Sequence, residues 1–340
     1  MSTRFPHGVS SYGIPLYGAG GLFGLGCGNI KYVVKAKTSS NLYYEKLRTN
    51  GVSDGDIFTT VATAYAATTS GRNDVVAVTP GAYDETSSIT WANSNTHLVG
   101  LGSPNPMGDY SEYNVVIYTD STDNASTINM TGNNNQVINC TIQNAGNNAA
   151  CLTAFTLNGY GCYFKNVSFQ GVMTAGNDDT VAAASLYIAA GGSYPIFEDC
   201  YIGQNCWDVR EGALSGVLRF TGTGAGGPYN GTFRRCRFLS RSDTATVAMV
   251  ALPANYCIHG IWLFDNCTFE NYANNWGTNL NQVFYDNCGT THGIFLHHCG
   301  AIGIDEWQDA DAGNNYIGAD MPIVGVGGGL VANPTASTGS

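Results

Sequence analysis

Acidic side chains with arginines beside them recur through the middle of the chain, and their chemistry depends on whether they meet. Two carboxylates about 5 to 10 Å apart can hydrolyse a glycosidic bond. The candidates stand at equivalent places of a repeated pattern: Glu198, Asp199, Arg234, Arg235, Asp265 and Asp286. The elements that carry them therefore decide their role.

Other polar groups fall between the repeats, where loops are expected. They are Asp178 with Asp179, Asp208 with Glu211, and Asp305 and Glu306 with Asp309 and Asp311. An acidic loop pair can bind a cation, but most are simply solvated. His297, His298 and Cys299 are zinc-ligand types, yet neighbouring side chains at a corner diverge and no second ligand pair follows. We therefore expect no catalytic residue, no metal site and no cofactor.

A six-residue phrase returns five times and predicts the architecture. It occupies residues 137–142, 164–169, 197–202, 233–238 and 264–269, with shorter copies at 285–288 and 296–299. The fourth positions of the five full copies lie 27, 33, 36 and 31 residues apart. Such a period matches one coil of a parallel β-solenoid.

Within each copy the first, fourth and sixth residues are apolar, and the second and third are mostly polar. Because side chains of a straight strand alternate between faces, the first and fourth residues can both point inward only if the chain bends between them. The third residue is mostly Asn or Asp, which tolerate a left-handed backbone. The predicted corner ladder is Asn139, Asn166, Asp199, Asn266 and Asn287, and the predicted core cysteine ladder is Cys140, Cys200, Cys236, Cys267 and Cys288.

The corner residues should form a ridge along one edge of the solenoid. The second residue of each repeat should lie in an outer column of charged side chains, in which the first few neighbours alternate in sign. Such a column is mildly favourable. We therefore interpret its carboxylates as a solvated ladder and not as a catalytic pair.

Composition limits the function classes. The chain has 340 residues, of which 44% are apolar and only 11% charged, with a net charge of −11. This balance argues against a nucleic-acid partner, and no apolar run approaches the roughly 20 residues of a membrane span. The eleven cysteines are odd in number and sit at repeated core positions, which favours reduced, buried thiols over disulfides.

Four segments are predicted. Residues 1–30 form an extended, Gly-rich anchoring arm, 31–70 a strand and a capping helix, 71–305 the β-helix, and 306–340 a C-terminal cap and tail. In the second segment, Ile57, Val61 and Tyr65 recur at helical spacing, which predicts a helix from Asp54 to Ala67. The apolar or anchoring residues of the arm are Arg4, Phe5, Pro6, Tyr12, Leu16, Tyr17, Leu22 and Phe23.

With this helix, the pattern Val76-x-Val-x-Pro-Gly-x-Tyr83, the segment Leu98-Val-Gly-Leu-Gly102 and the cornered repeats, the chain resembles the pectate-lyase-like β-helix superfamily. The expected fold is all-β: a single-stranded right-handed parallel β-helix with an N-terminal capping helix and an extended arm. Members of the superfamily include polysaccharide lyases and hydrolases, phage tailspikes and non-catalytic virion proteins. In the enzymes the catalytic groove lies on a strand face flanked by long loops, and a lyase would need calcium-binding carboxylates with an Arg or Lys base.

The sequence-based expectation for function is a structural virion protein and not an enzyme. The opening Arg4 to Val9 resembles the starts of phage head proteins, and buried arm side chains would stabilise contacts between coat subunits. This predicts a capsid decoration (cement) protein or head fibre on the phage capsid surface, assembled in the host cytoplasm. Its expected partners are the major capsid protein and copies of itself in a homotrimer. The alternative is a polysaccharide-degrading or glycan-binding β-helix protein of the tailspike or lyase type, since fold does not fix function.

Overall fold

The computed structural model describes most of the chain between residues 28 and 308. The described residues are 28–102, 114–120, 124–204, 206, 209–220, 226–253, 257–273, 278–288 and 292–308, with the backbone of the short segments 10–11, 14–15, 316–319 and 331–332. The arm side chains from Arg4 to Phe23 that the sequence singled out lie outside this set.

The two described helices are short. They are α1 (Leu42–Thr49) and α2 (Val61–Ala66). The Asn41 side chain caps α1 by accepting from the backbone N of Tyr43 and Tyr44 at 3.0 and 3.1 Å. Neither described helix is long and apolar enough to cross a membrane.

The predicted helix from Asp54 to Ala67 is wrong in its first half. Asp54–Asp56 form a 3-10 turn and Ile57–Phe58 a short strand, so the helix begins only at Val61. The reason is tertiary: Ile57 pairs with Tyr32 of a neighbouring strand. The buried Glu85 carboxylate accepts from the backbone N of Val61 at 2.6 Å and so fixes the first turn of α2.

The strands carry the fold. In chain order they are β1 (Ser10–Ser11), β2 (Ile14–Pro15), β3 (Ile30–Val33), β4 (Ile57–Phe58), β5 (Asp74–Val78), β6 (Gly81–Asp84), β7 (Ile89–Trp91), β8 (Thr96–Gly100), β9 (Val115–Thr119), β10 (Ser126–Met130), β11 (Gln136–Asn144), β12 (Thr153–Leu157), β13 (Tyr163–Gln170), β14 (Ala184–Ile188), β15 (Ile196–Glu198), β16 (Tyr201–Gly203), β17 (Gly216–Phe220), β18 (Tyr229–Arg234), β19 (Arg237–Ser240), β20 (Ala248–Leu252), β21 (His259–Asp265), β22 (Thr268–Asn271), β23 (Leu280–Asp286), β24 (His292–His297), β25 (Gly300–Ile302), β26 (Ile304–Gln308), β27 (Tyr316–Ala319) and β28 (Val331–Ala332).

The strands β1, β2 and β28 form antiparallel pairs. The other strands form three parallel faces, and the chain visits the faces in turn. Sheet A has eight strands in the order β7, β10, β12, β14, β17, β20, β23 and β26. Sheet B contains the segments before each corner, such as β8, β15, β18, β21 and β24, and sheet C those after it, such as β9, β16, β19, β22 and β25. The longer β11 and β13 run through the corner and belong to both. The predicted right-handed parallel β-helix is confirmed.

The parallel pairing runs from β3 to β27. It therefore crosses the predicted segment boundaries at residues 70 and 305, and the division into four segments stays a prediction.

The corner between sheets B and C has a left-handed residue on every described rung from β11 to β24. The φ angles lie between 50° and 57° at Asn139, Asn166, Asp199, Arg235, Asn266 and His298. The Asn166 amide donates to Asn139 Oδ1 at 2.6 Å, so neighbouring corners are also joined by their side chains.

Asn287 and Cys288 do not belong to these ladders. They follow β23, a strand of sheet A, and Asn287 donates its backbone N–H to Leu252 on the preceding strand of that sheet. The equivalent corner is instead His298 followed by Cys299, because Asp265 pairs with His297. No disulfide joins the described cysteines, and all of them but Cys206 are buried.

Aromatic stacks fill the core between the faces. Phe164, Phe197, Phe233 and Phe264, at the first position of the repeat, have ring centroids 4.5 to 5.0 Å apart between successive rungs. Their rings are nearly parallel, within 11°. The core is thus built by equal residues on successive coils, which gives sheet A a rigid inner support.

Candidate functional site

The charged corner residues lie in one column on the outside of sheet B. The register aligns Lys165, Glu198, Arg234, Asp265 and His297 on successive strands. Arg234 reaches Glu198 Oε1 and Asp265 Oδ2 at 3.4 Å each, and His297 Nδ1 lies 2.6 Å from Asp265 Oδ1. Each described carboxylate of the column therefore already has a partner of its own.

These partners also explain why the pKa values of the carboxylates in the column are lowered. The phenol of Tyr163, which donates to Glu198 Oε2 at 2.6 Å, lowers the pKa of Glu198, and Arg235 lowers it further. His297 lowers the pKa of Asp265 in the same way. Carboxylates held ionised by permanent partners are poor general acids, so the column is an ion-paired ridge.

The remaining acidic candidates do not assemble a site either. Asp286 is 3% exposed on β23 of sheet A, away from the corners that carry Asp199 and Asp265. Asp305 accepts from the Asn279 amide at 2.7 Å, whereas Asp208, Asp309 and Asp311 lie outside the described residues. Within the described ranges, no three side chains of His, Cys, Asp or Glu are placed to share a metal ion.

A groove lies instead on the outer face of sheet A, which the sequence analysis did not select. In β10, β12, β14 and β17 the fourth residue of five is the partly exposed one, and its neighbours on both sides are buried. This follows from the alternation of side chains along a strand. The register aligns these residues with one residue of β7, so the column reads Thr90, Asn129, Thr156, Tyr187 and Arg219.

The groove has a volume of about 400 Å³ and crosses five strands. The wall on one side comes from the ends of the loops that enter sheet A, and the floor is the column itself. The lining residues are Ser88, Thr90, Ala125, Ser126, Asn129, Leu152, Thr153, Thr156, Ala182, Tyr187 and Arg219. Among these described lining residues, Arg219 alone carries a charge.

Arg219 is partly enclosed at one end of the groove. Its Nη1 donates to the backbone O of Val181 at 2.9 Å, which fixes the guanidinium beside the loop that precedes β14. Burial lowers the pKa of Arg219, and the nearby Tyr187 and Tyr285 oppose that shift. Since an arginine starts from a pKa above 12, the group stays a cation at neutral pH.

The other end of the groove is polar and uncharged. The hydroxyls of Thr153 and Thr156 lie 3.0 Å apart. Asn129 Oδ1 is buried and has no hydrogen-bond partner in the structure. A buried acceptor without a donor is unfavourable, so this amide oxygen is suited to a donor supplied from outside the chain.

A signal for the groove is present in the sequence. The triplets Ile128-Asn-Met130, Phe155-Thr-Leu157, Leu186-Tyr-Ile188 and Leu218-Arg-Phe220 share an apolar residue on each side of a central one. Each triplet ends 7 to 13 residues before the start of a corner repeat. An alignment of the corner repeats alone does not show this second repeat, because the central residues of the triplets differ from one another.

The sequence matches no known family model, and no curated protein matches it. Solved structures share the fold. Pectate lyase Pel9A is 16% identical, with a TM-score of 0.51 over 81% of this chain and 64% of its own. A pectin methylesterase from Aspergillus niger is 17% identical, with a TM-score of 0.48 over 85% and 83%. ORF18 of Geobacillus virus E2 is 14% identical, with a TM-score of 0.40 over 82% and 60%.

The similarity to Pel9A corrects the expectation that the protein is not an enzyme. The β-helix fold that the two chains share is in Pel9A the fold of a pectate lyase, so a non-catalytic role is no longer the preferred interpretation. An identity of 16% shows the fold and leaves the reaction open. The chain has a right-handed parallel β-helix fold, which it shares with pectate lyase Pel9A.

Proposed function

We propose that the protein binds and acts on a polysaccharide that carries carboxylate groups, with the chain lying in the groove of sheet A. One observation carries this proposal: the column from Thr90 to Arg219 places one polar side chain on each of five successive strands. Strands of a sheet repeat every ~4.8 Å. A repeating ligand therefore meets a repeating set of contacts.

The residue types of the groove suit a sugar chain. Hydroxyl and amide groups such as Thr156 and Asn129 both donate and accept, as sugar hydroxyls do. Tyr187 offers an apolar ring with a polar tip, which can pack against a sugar ring and still hydrogen-bond. Ligand sites generally combine such an apolar surface with a few placed polar groups.

The carboxylate requirement comes from Arg219. A guanidinium presents parallel N–H donors that match the two oxygens of a carboxylate. The net charge of −11 opposes a polyanion at long range. That repulsion is screened beyond about 8 Å at physiological salt, whereas a direct contact in a partly enclosed groove is screened much less.

Elimination fits the described lining residues better than hydrolysis does. Glycoside hydrolysis normally uses two carboxylates, and none is present among the described residues that line the groove. In elimination, a base takes a proton from the carbon beside the carboxylate, and a carbon–carbon double bond forms as the glycosidic C–O bond breaks. The oxygen that leaves takes up a proton and becomes a hydroxyl group. Arg219 would stabilise the charge that develops on the carboxylate, and Tyr187 on the adjacent strand is a group able to move a proton.

The test is calorimetric titration of the intact protein with polygalacturonate and with its methyl ester, which removes the charge at constant backbone. We expect binding of the acid form, weaker binding of the ester, and a parallel loss when Arg219→Gln is titrated with the acid form. Ultraviolet absorbance then follows any unsaturated product. Equal binding of both ligands would contradict the carboxylate requirement, and binding of neither would contradict the proposal for this sugar.

A second proposal concerns where the protein works, and the sequence of the arm favours it. We propose that residues 1–30 anchor the β-helix to a phage capsid as a decoration protein, in contact with the major capsid protein and other copies of the chain in a homotrimer. The apolar residues of an almost uncharged, Gly-rich segment support it. Deleting residues 1–28 should abolish capsid association and leave sugar binding intact. Many copies over the shell of a purified particle are expected, and a few copies at the tail would contradict this placement.

A further inference from the structure

Four thiols form a continuous column inside the corner between sheets B and C. They belong to Cys200, Cys236, Cys267 and Cys299, which occupy the fourth position of successive repeats. The strands before them are in register, and so are the strands after them. Neighbouring thiols of the column therefore lie one strand spacing apart, about 4.8 Å.

The last three thiols have the same orientation, as their hydrogen bonds show. Each Sγ points to the carbonyl two residues before it and to the carbonyl of the phenylalanine on the preceding rung. For Cys267 these acceptors are Asp265 O at 3.6 Å and Phe233 O at 3.4 Å. For Cys299 they are His297 O at 3.5 Å and Phe264 O at 3.2 Å. Because the three cysteine side chains have the same orientation, the sulfur–sulfur separation is about one strand spacing.

We propose that the Cys267–Cys299 pair is a binding site for a soft, two-coordinate metal ion, with Cu(I) as the physiological example. Zinc–thiolate bonds are about 2.3 Å long, and two metal–sulfur bonds of about that length in a line span roughly the strand spacing of about 4.8 Å. Thiolates select soft ions of this kind. No three side chains of His, Cys, Asp or Glu among the described residues converge on one ion, so the two thiols are the only protein ligands of the proposed site.

This pair is favoured over the others by access. Cys299 is 8% exposed, whereas Cys200, Cys236 and Cys267 are fully buried, so an ion would enter at the Cys299 end.

The binding step is balanced without a change of oxidation state. Both thiols lose their protons to solvent, and two sulfur–copper bonds form. The resulting bis-thiolate of Cu(I) carries one negative charge. Cys236 remains a thiol and can donate to the bound sulfur.

The test uses the full chain with Cys206→Ser, which removes the exposed thiol, under a phosphine reductant and without oxygen. Cu(I) is titrated against a coloured Cu(I) chelator, and X-ray absorption counts the sulfur neighbours. We expect one copper retained per chain, with two sulfur neighbours. Cys267→Val and Cys299→Val should each lose it, and Cys140→Val should keep it. Valine is a matched replacement, because Val167 occupies the same column two positions before Cys236.

Three outcomes of these measurements would overturn the proposal. Unchanged copper retention in both the Cys267 and Cys299 variants, or three or more sulfur neighbours in the parent chain, would overturn the proposal. If a valine variant does not fold, as judged by circular dichroism, Cys299→Ser takes its place, and the X-ray absorption count on the parent chain still decides. No copper retained by the parent chain would also overturn it.

Discussion

Tyr187 and Arg219 occupy paired positions on the adjacent strands β14 and β17, and both side chains line the same groove. An aromatic ring and a guanidinium are thus held side by side by the backbone register. The sequence separates them by 32 residues, which is one coil of the helix. This pair is the centre of the proposed polysaccharide site.

Removing the charge at Arg219 should weaken the binding of an acidic oligosaccharide. Hydrogen bonds to charged groups contribute about 1.5 to 3 kcal/mol, so we expect Arg219→Gln to raise the dissociation constant by at least about tenfold. The control is Arg237→Gln, because Arg237 pairs with Glu270 on sheet C at 2.8 Å, outside the groove. Calorimetry on both variants decides, and an equal loss in both would argue against a local contact.

Tyr187 should contribute mainly through its ring. We expect Tyr187→Ala to weaken oligosaccharide binding severalfold, since it removes the apolar surface. Tyr187→Phe keeps that surface and should retain most of the affinity, but it should lower turnover if the phenol moves a proton. Titration and product absorbance measure the two effects separately. Equal affinity of the Ala and Phe variants would show that the ring does not pack on the sugar.

The corner geometry was readable from the sequence because it depends on local residue types. Asn139 and Asn166 are left-handed, as expected from the bend that the repeat requires. Cys288 was wrongly predicted to belong to the cysteine ladder, because its residue types match the repeat but its spacing does not. Cys288 follows Cys267 by 21 residues, whereas Cys299 follows it by 32, within the range of the full copies.

The groove could not be predicted in the same way. Its residues share a register position but not a residue type. The apolar residues on either side of them are visible in the sequence, but only the strand pairing shows that the central residues form a column. The start of α2 was equally hidden, because the Glu85 carboxylate that binds its first amides lies 24 residues away in the chain.

Stability should fall as the pH drops from about 6.5 to about 4, through His97. Burial lowers the pKa of this histidine to about 4 from 6.5, and its Nδ1 accepts from the backbone N of Gln136 at 3.1 Å, which requires the neutral ring. Between these pH values the unfolded chain binds the extra proton, so the free energy of unfolding decreases as pH falls, by up to about 3 kcal/mol.

Urea titrations at pH 7.5 and 4.5 measure this change. His97→Gln should be less stable at pH 7.5 but should show a smaller decrease between the two pH values. An unchanged decrease in the variant would assign the pH dependence to other groups.

The corner at Asn166 should be sensitive to side-chain type in a specific order. Its φ of 53° is costly for most residues, and its amide also bonds Asn139. We expect Asn166→Ala to lower the free energy of unfolding by about 1 to 2 kcal/mol. Asn166→Gly loses the side-chain bond but adopts this φ freely, so it should be the milder change. Thermal denaturation of the two variants gives the order, and a milder alanine variant would contradict the backbone explanation.

The most direct test of the polysaccharide site is hydroxyl-radical labelling of the intact protein with and without an acidic oligosaccharide, read by mass spectrometry. Our account predicts that the ligand protects Tyr187 in the groove and leaves Tyr201 on sheet C labelled as before. Protection of Tyr201 without protection of Tyr187 would place the ligand on another face and contradict the account.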